Sequence, residues 1–122
     1  QVGKKLGSYG TGKPKRQFLY SLDFAKIILL ILGNKDIKSG NIICSTDEEY
    51  QIIDVVDKLA DVMKLNKGNI YWDTSKSDGC MKKTVSNEKL KKIIKDYNFV
   101  SLEDGLKETY DWFIKNYDTI RK

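Results

Sequence analysis

Apolar residues follow two rhythms along this chain. From Leu22 to Leu32 they run almost unbroken, interrupted only by Asp23 and Lys26. That density predicts a helix apolar on nearly every side, buried over most of its surface and ended by Gly33-Asn34. Ser21 stands where a hydroxyl would cap the first turn, and Asp23 near its positive end. From Glu49 to Met63 the spacing changes to Ile52, Val55, Val56, Leu59, Ala60 and Met63, the one-sided stripe of an amphipathic helix. Lys67-Gly68 breaks it. Ser86 caps a short helix with Leu90, Ile93 and Ile94 inward, ended by Asp96-Tyr97-Asn98. Ser101 caps a last helix, with Glu103 and Asp104 in its first turn and a stripe of Leu102, Leu106, Thr109, Tyr110, Phe113 and Tyr117.

A two-residue rhythm marks the strands. Asn69 to Thr74 places Ile70 and Trp72 on one face and Tyr71 and Asp73 on the other. Asn41 to Cys44 reads as a short buried strand, between Gly40 and the Ser45-Thr46-Asp47 turn. Residues 1–20 read as irregular or short-stranded, with Arg16 to Tyr20 able to pair as a strand. Residues 34–40 and 75–84 read as polar loops. Trp72, Trp112 and the tyrosines read as core. Helices alternating with short strands predict a small α/β domain of about four helices, its strands joined by crossovers.

Composition narrows the class. The chain has 122 residues, 40% hydrophobic and 32% charged, which suits one folded domain rather than a disordered chain. The longest apolar run is far short of the ~20 residues a membrane span needs. Net charge is +5, and its lysines read as solvated decoration, weak ground for a nucleic-acid partner. There is no histidine, and Cys44 and Cys80 are far apart, which disfavours the usual zinc sites and a metal in general. Two reduced thiols and no leader pattern point to a cytoplasmic protein. The opening residue, Gln1 rather than Met, suggests a piece of a longer chain.

Candidate chemistry gathers in two stretches. Tyr9-Gly-Thr-Gly-Lys-Pro-Lys-Arg16 puts two glycines and three cations within eight residues. Glycines allow close backbone approach, exposed N–H groups form anion cups, and a guanidinium takes phosphate at two points. Gly7-x4-Gly12-Lys13 falls one residue short of a nucleotide-phosphate loop: Pro14 stands where a magnesium-binding hydroxyl is required, with no apolar strand expected before Gly7. The glycines do not spell Gly-x-Gly-x-x-Gly, so a dinucleotide fingerprint is lacking. Tyr9-x3-Lys13 has the spacing of a reductase catalytic pair, but Gly10 and Gly12 rule out the helix that chemistry uses. The second stretch is Lys76-Ser-Asp78-Gly79-Cys80-Met-Lys82-Lys83, after a strand, where α/β folds place ligand loops. There Asp78 can accept from ribose hydroxyls and Lys83 can meet a phosphate.

Three motifs in order, Tyr9-Gly-Thr-Gly-Lys-Pro-x-Arg-Gln-Phe-Leu-Tyr-Ser-x-Asp, Asp73-Thr-Ser-Lys-Ser-Asp-Gly-x-x-Lys-Lys-Thr and Gly105-Leu-Lys-Glu-Thr-Tyr-x-Trp-Phe, resemble the C-terminal part of the GDP-L-fucose synthase family. These are extended short-chain dehydrogenases/reductases, NAD(P)-binding Rossmann-type enzymes that epimerise GDP-4-keto-6-deoxymannose at two carbons and reduce its ketone with NADPH. The resemblance covers essentially the whole chain. It implies that residues 1–122 are a GDP-sugar-binding region, with Arg16 on the diphosphate, Asp78 on the ribose, Lys83 on substrate, and Tyr9 where the family carries tryptophan. It also implies that the NADP-binding Rossmann half and the catalytic residues lie outside this chain, so NADP binds there and the piece is inactive alone. The full enzyme is expected to be a homodimer in the cytoplasm, with neither nucleic acid nor membrane as partner. Two other readings stay open: a related enzyme for another nucleotide sugar, and a basic module for RNA or acidic partners.

Overall fold

The computed structural model describes residues 5–37 and 40–120. Gln1 and two positions of the expected 34–40 loop lie outside the described residues. Five short strands and four helices alternate in it: β1 (Leu6–Tyr9), β2 (Lys15–Arg16), α1 (Ser21–Gly33), β3 (Tyr50–Gln51), α2 (Ile52–Val62), β4 (Ile70–Asp73), β5 (Lys82–Lys83), α3 (Glu88–Ile93) and α4 (Leu102–Asn116). A single 3-10 turn, Lys67–Asn69, leads into β4. The α/β class and the four helices agree with the sequence pattern.

The strands form two small sheets. In one, β1 and β4 run parallel with Leu6 opposite Ile70 and Tyr9 opposite Asp73. In the other, β2 lies between β3, antiparallel to it, and β5, parallel to it. Parallel neighbours need a crossover, and the chain supplies α1 and α2 between β1 and β4.

Several boundaries differ from the pattern. The strand expected over Arg16 to Tyr20 is Lys15–Arg16 alone. Asn41 to Cys44 is not a strand; its apolar residues Ile42 and Cys44 pack on the core as extended coil. Gly7 itself lies inside β1, with Leu6 alone before it in the strand, so β1 leads into Gly10 and Gly12. The second helix starts at Ile52, since Tyr50 and Gln51 pair with β2 instead. Tyr20 and Asn87, rather than Ser21 and Ser86, hold the cap positions, with no side-chain bond from either, while the Ser86 Oγ accepts from the Glu88 N–H at 3.4 Å. Ser101 does cap α4, its Oγ accepting from the Asp104 N–H at 3.1 Å. Trp112 is 58% exposed rather than core.

The core is small. Ile27 of α1 meets Leu90 and Ile94, with Ile31, Ile42, Ile93, Tyr97 and Phe99 around them. The α1 positions Asp23 and Ile27, one turn apart, face inward. The rest of that apolar helix is open: Leu22, Ile28, Leu29 and Leu32 are exposed, Leu29 by 69% and Leu32 by 76%. Burial of most of its surface, expected from its composition, is therefore not provided by the described residues.

Asp23 is buried to 1% exposure. Its carboxylate accepts from the Tyr97 hydroxyl at 2.7 Å and the Val100 N–H at 2.8 Å. A buried carboxylate is tolerated only when so satisfied, and here it ties α1 to the segment entering α4. Burial first, and the bond to Asp23 second, push the Tyr97 hydroxyl up to about 12. A phenol with a raised folded value contributes stability in full below its ordinary value of 10 and loses it as pH climbs through about 12. Asp23→Ala is expected to lower the unfolding free energy by about 3 kcal/mol in urea titration. The alkaline loss of stability between pH 10 and about 12 is expected to shrink in Tyr97→Phe; an identical alkaline limb in that variant would contradict the assignment.

Candidate functional site

The glycine-rich stretch leaves β1 and folds over two neighbours. Gly10 and Gly12 adopt φ of +75° and +74°, the left-handed region that side chains resist. A Cβ on Gly12 would lie 2.7 Å from the Trp72 ring and 2.9 Å from Ile53 Cβ. The stretch also closes the start of α2, whose first N–H groups have no partner within the helix. Ile52 N–H donates to the Pro14 carbonyl at 3.1 Å and Ile53 N–H to the Gly12 carbonyl at 2.9 Å. Pro14 suits this place: its carbonyl is used and no N–H is required of it.

Thr11, between the two glycines, meets the second stretch. Its N–H donates to Asp78 Oδ1 at 2.5 Å and its hydroxyl to Oδ2 at 2.7 Å. These two bonds, the hydroxyl first, hold the Asp78 carboxyl below its ordinary value. A carboxylate offers about four acceptor sites, so two remain for a ligand. A Cβ on Gly10 would fall 2.2 Å from Asp78 Oδ1, which is why this contact requires glycine.

Arg16 and Lys83 come together through strand register. They are paired residues on the parallel neighbours β2 and β5, so their side chains leave the same face of the sheet about 4.8 Å apart at the backbone. Arg16 donates from one terminal nitrogen to the Lys15 carbonyl at 2.7 Å and from the other to the Cys80 carbonyl at 2.9 Å. Two of its five N–H donors are thus used in orienting it. On the opposite face Lys15 and Lys82 are also paired, but there Glu49 holds Lys82 at 2.9 Å and is itself kept below its ordinary value, chiefly by Lys82. None of the ion pairs among the described residues involves Arg16 or Lys83. Like charges directly opposite in a sheet are unfavourable, and on the Arg16–Lys83 face no described ion pair offsets them.

Of the four residues expected from sequence, Arg16 and Lys83 are adjacent, and Asp78 is joined to the glycine stretch five residues before Arg16. Tyr9 stands apart at the end of the other sheet, with its ring 73% exposed. Sequence reasoning missed Thr11 and Gln17. Thr11 was legible only as the residue between two glycines; its partner lies 67 positions away. An apolar concavity of about 280 Å³ lies between Phe18–Ser21 and Val100–Thr109, and a more polar one of about 350 Å³ lies beside it, lined by Thr46, Asp47, Glu48 and Tyr50. Neither is lined by Arg16 or Lys83.

The Gly7–Gly12 loop leads into β2 and not onto a helix start. A dinucleotide site needs strand, glycine turn and helix N-terminus in succession, so NADP does not fit this loop. Cys44 and Cys80 are free thiols, the first pushed up by burial. Among the described residues no group of three or more acidic, Cys or His side chains is placed to hold a metal. No helix there is long and apolar enough to cross a membrane.

No family model matches the chain. It is similar to the GDP-L-fucose synthase of Dictyostelium discoideum, 45% identical over 114 residues, which make up 93% of this chain and 35% of that protein. The solved GDP-L-fucose synthetase of Naegleria fowleri superposes with a TM-score of 0.92 at 38% identity, over 98% of this chain and 36% of that one. That protein has also been solved bound to NADP. The dTDP-glucose 4,6-dehydratase of Bacillus anthracis superposes at 0.79 with 26% identity, over 96% of this chain and 37% of that one. The chain therefore spans about a third of the length of the relatives it matches. These neighbours share the extended short-chain dehydrogenase/reductase fold.

Because Asp78 sits below its ordinary value, the Thr11 contact contributes stability above about pH 3.8 and loses it as pH falls through the lowered value. The Thr11 amide resonance is expected to move with a single acid titration below 3.8 and to lose that titration in Asp78→Asn. Gly10→Ala, forced into φ +75° against Asp78, is expected to cost about 1–3 kcal/mol in backbone strain. Unchanged thermal unfolding of that variant would contradict the close approach.

Proposed function

The chain belongs to the GDP-L-fucose synthase family, and from that premise we propose that it forms the GDP-sugar-binding wall of such an enzyme. The single supporting observation is the Arg16–Lys83 pair, two cations on one face that enter none of the ion pairs among the described residues. A diphosphate supplies the missing charge. Arg16 contributes its free donors to the phosphate oxygens, and Lys83 meets the same group as a point charge. Asp78, oriented and kept ionised by Thr11, accepts from the ribose hydroxyls. Tyr9 presents an exposed aromatic side.

In the complete enzyme the reaction would be the 3,5-epimerisation and NADPH-dependent 4-reduction of GDP-4-keto-6-deoxy-D-mannose to GDP-L-fucose. This region corresponds to the C-terminal part of the enzyme. It grips the nucleotide, while residues outside it bind NADP and carry the proton and hydride transfers, so the piece alone turns over no substrate. The whole enzyme would act in the cytoplasm as a homodimer. The resemblance in fold to a dTDP-sugar enzyme keeps one second reading in view, a related enzyme for another nucleotide sugar.

Isothermal titration separates them. GDP is expected to bind, UDP and dTDP more weakly, and Arg16→Ala or Lys83→Ala to weaken GDP by about tenfold or more, the loss of one charge-assisted contact. Tighter binding of UDP or dTDP than of GDP would favour the second reading. GDP binding untouched by either substitution would overturn the site.

A further inference from the structure

Gln17 follows Arg16 directly, at the end of β2. Its Nε2 donates to the Thr46 carbonyl at 2.8 Å and the Val85 carbonyl at 3.1 Å, and its Oε1 accepts from the Val85 N–H at 2.8 Å. Toward Val85 the side-chain amide therefore makes both bonds, donor and acceptor, that a neighbouring strand's backbone would make. Val85 lies two residues beyond Lys83. The amide thus lengthens a β2–β5 pairing that consists of two residue pairs only, both of them cation opposite cation.

Such a pairing is weak twice over: it is far shorter than an ordinary strand pairing, and its charges repel. On the Lys15–Lys82 face Glu49 relieves the repulsion. On the Arg16–Lys83 face nothing comparable exists among the ion pairs of the described residues. Beyond the ladder and Glu49, β5 is held by backbone and side-chain bonds at its two ends. Before it, Lys15 N–H reaches the Met81 carbonyl at 2.8 Å and Arg16 reaches Cys80. After it stands Gln17. The same amide bonds Thr46, so the segment before β3 is held to the same point.

We infer that Gln17 is a positioning residue, which keeps Lys83 beside Arg16 against their mutual repulsion and so holds the cation pair ready for its anion. Only a side-chain amide does this. Glutamate cannot donate to the two carbonyls, and an apolar isostere makes none of the three bonds. The consequence for ligand affinity rests on the GDP-binding reading above; the consequence for the pair itself does not.

The test compares the 122-residue chain with Gln17→Leu and Gln17→Glu by NMR, first without ligand. Hydrogen exchange of the Val85 amide is expected to accelerate at least tenfold in Gln17→Leu, and the Arg16–Lys83 cross-strand contacts to weaken, while the β1–β4 contacts stay intact. Adding Lys83→Met to Gln17→Leu is expected to restore those cross-strand contacts, because the repulsion has gone. A merely structural glutamine would show no such rescue. Should Gln17→Leu fail to fold, Gln17→Glu carries the same comparison, since it keeps the bond accepted from Val85. Retained Arg16–Lys83 contacts in the single variants, or no rescue by Lys83→Met, would overturn the inference. GDP is titrated last. About tenfold weaker binding in Gln17→Leu extends the role to the ligand. Wild type that shows the exchange and rescue pattern but ignores GDP overturns the nucleotide reading and leaves the positioning role supported.

Discussion

Arg16 and Lys83 face each other across strands of two residues each, an arrangement that electrostatics opposes and that ladder hydrogen bonds are too few to impose. The surrounding structure reads as the means of maintaining it. Cys80 and Met81 are held to β2 at one end and Val85 at the other. The glycine stretch before β2 is fixed by the first N–H groups of α2 and by Asp78. Contacts from distant parts of the sequence converge on one pair of cations, whose Coulomb repulsion a bound diphosphate would turn into attraction.

The acidic residues are held in different ways. Some surface carboxylates pair with lysines, as Glu49 does with Lys82 and Asp47 with Lys91. Exposed pairs of that kind contribute little. Asp78 enters none of the ion pairs among the described residues, although the Lys13 charge helps to lower it. As Asp73 is by Ser75, it is held by a backbone N–H and a hydroxyl from one residue, Thr11. That contact orients the carboxylate without neutralising it, which suits a group meant to accept further hydrogen bonds. Asp23 shows the contrasting use: fully buried, satisfied by Tyr97 and Val100, it joins elements and faces no solvent.

Much of this was legible in the sequence because it is local. Helical spacing placed α2 and α4, and Ser101 capped its helix as its chemistry required. The glycine–arginine stretch and the Asp78–Lys83 stretch stood out by residue type. What was not legible depends on partners far away. The register that sets Arg16 against Lys83, the Thr11–Asp78 contact and the Gln17 amide all join residues more than 60 positions apart. Short strands give too little alternation to be read, so β3 falls within an expected helix and the coil Asn41 to Cys44 within an expected strand. The exposed side of α1 marks another limit. Composition reports that a helix is made for burial, and an apolar face of this kind marks a contact surface. The chain spans about a third of the length of its relatives, and the described residues cover only the Asp23–Ile27 side.

The central claim is that two cations and one carboxylate from two distant stretches act on a single diphosphate nucleotide. Residue-resolved NMR titration with GDP tests it most directly. The account predicts that the amides of Arg16, Lys83 and Asp78 shift together, saturating with one shared dissociation constant, while inorganic phosphate moves Arg16 and Lys83 but not Asp78. Separate constants at the three positions, or shifts spread over the surface lysines with these residues silent, would contradict it.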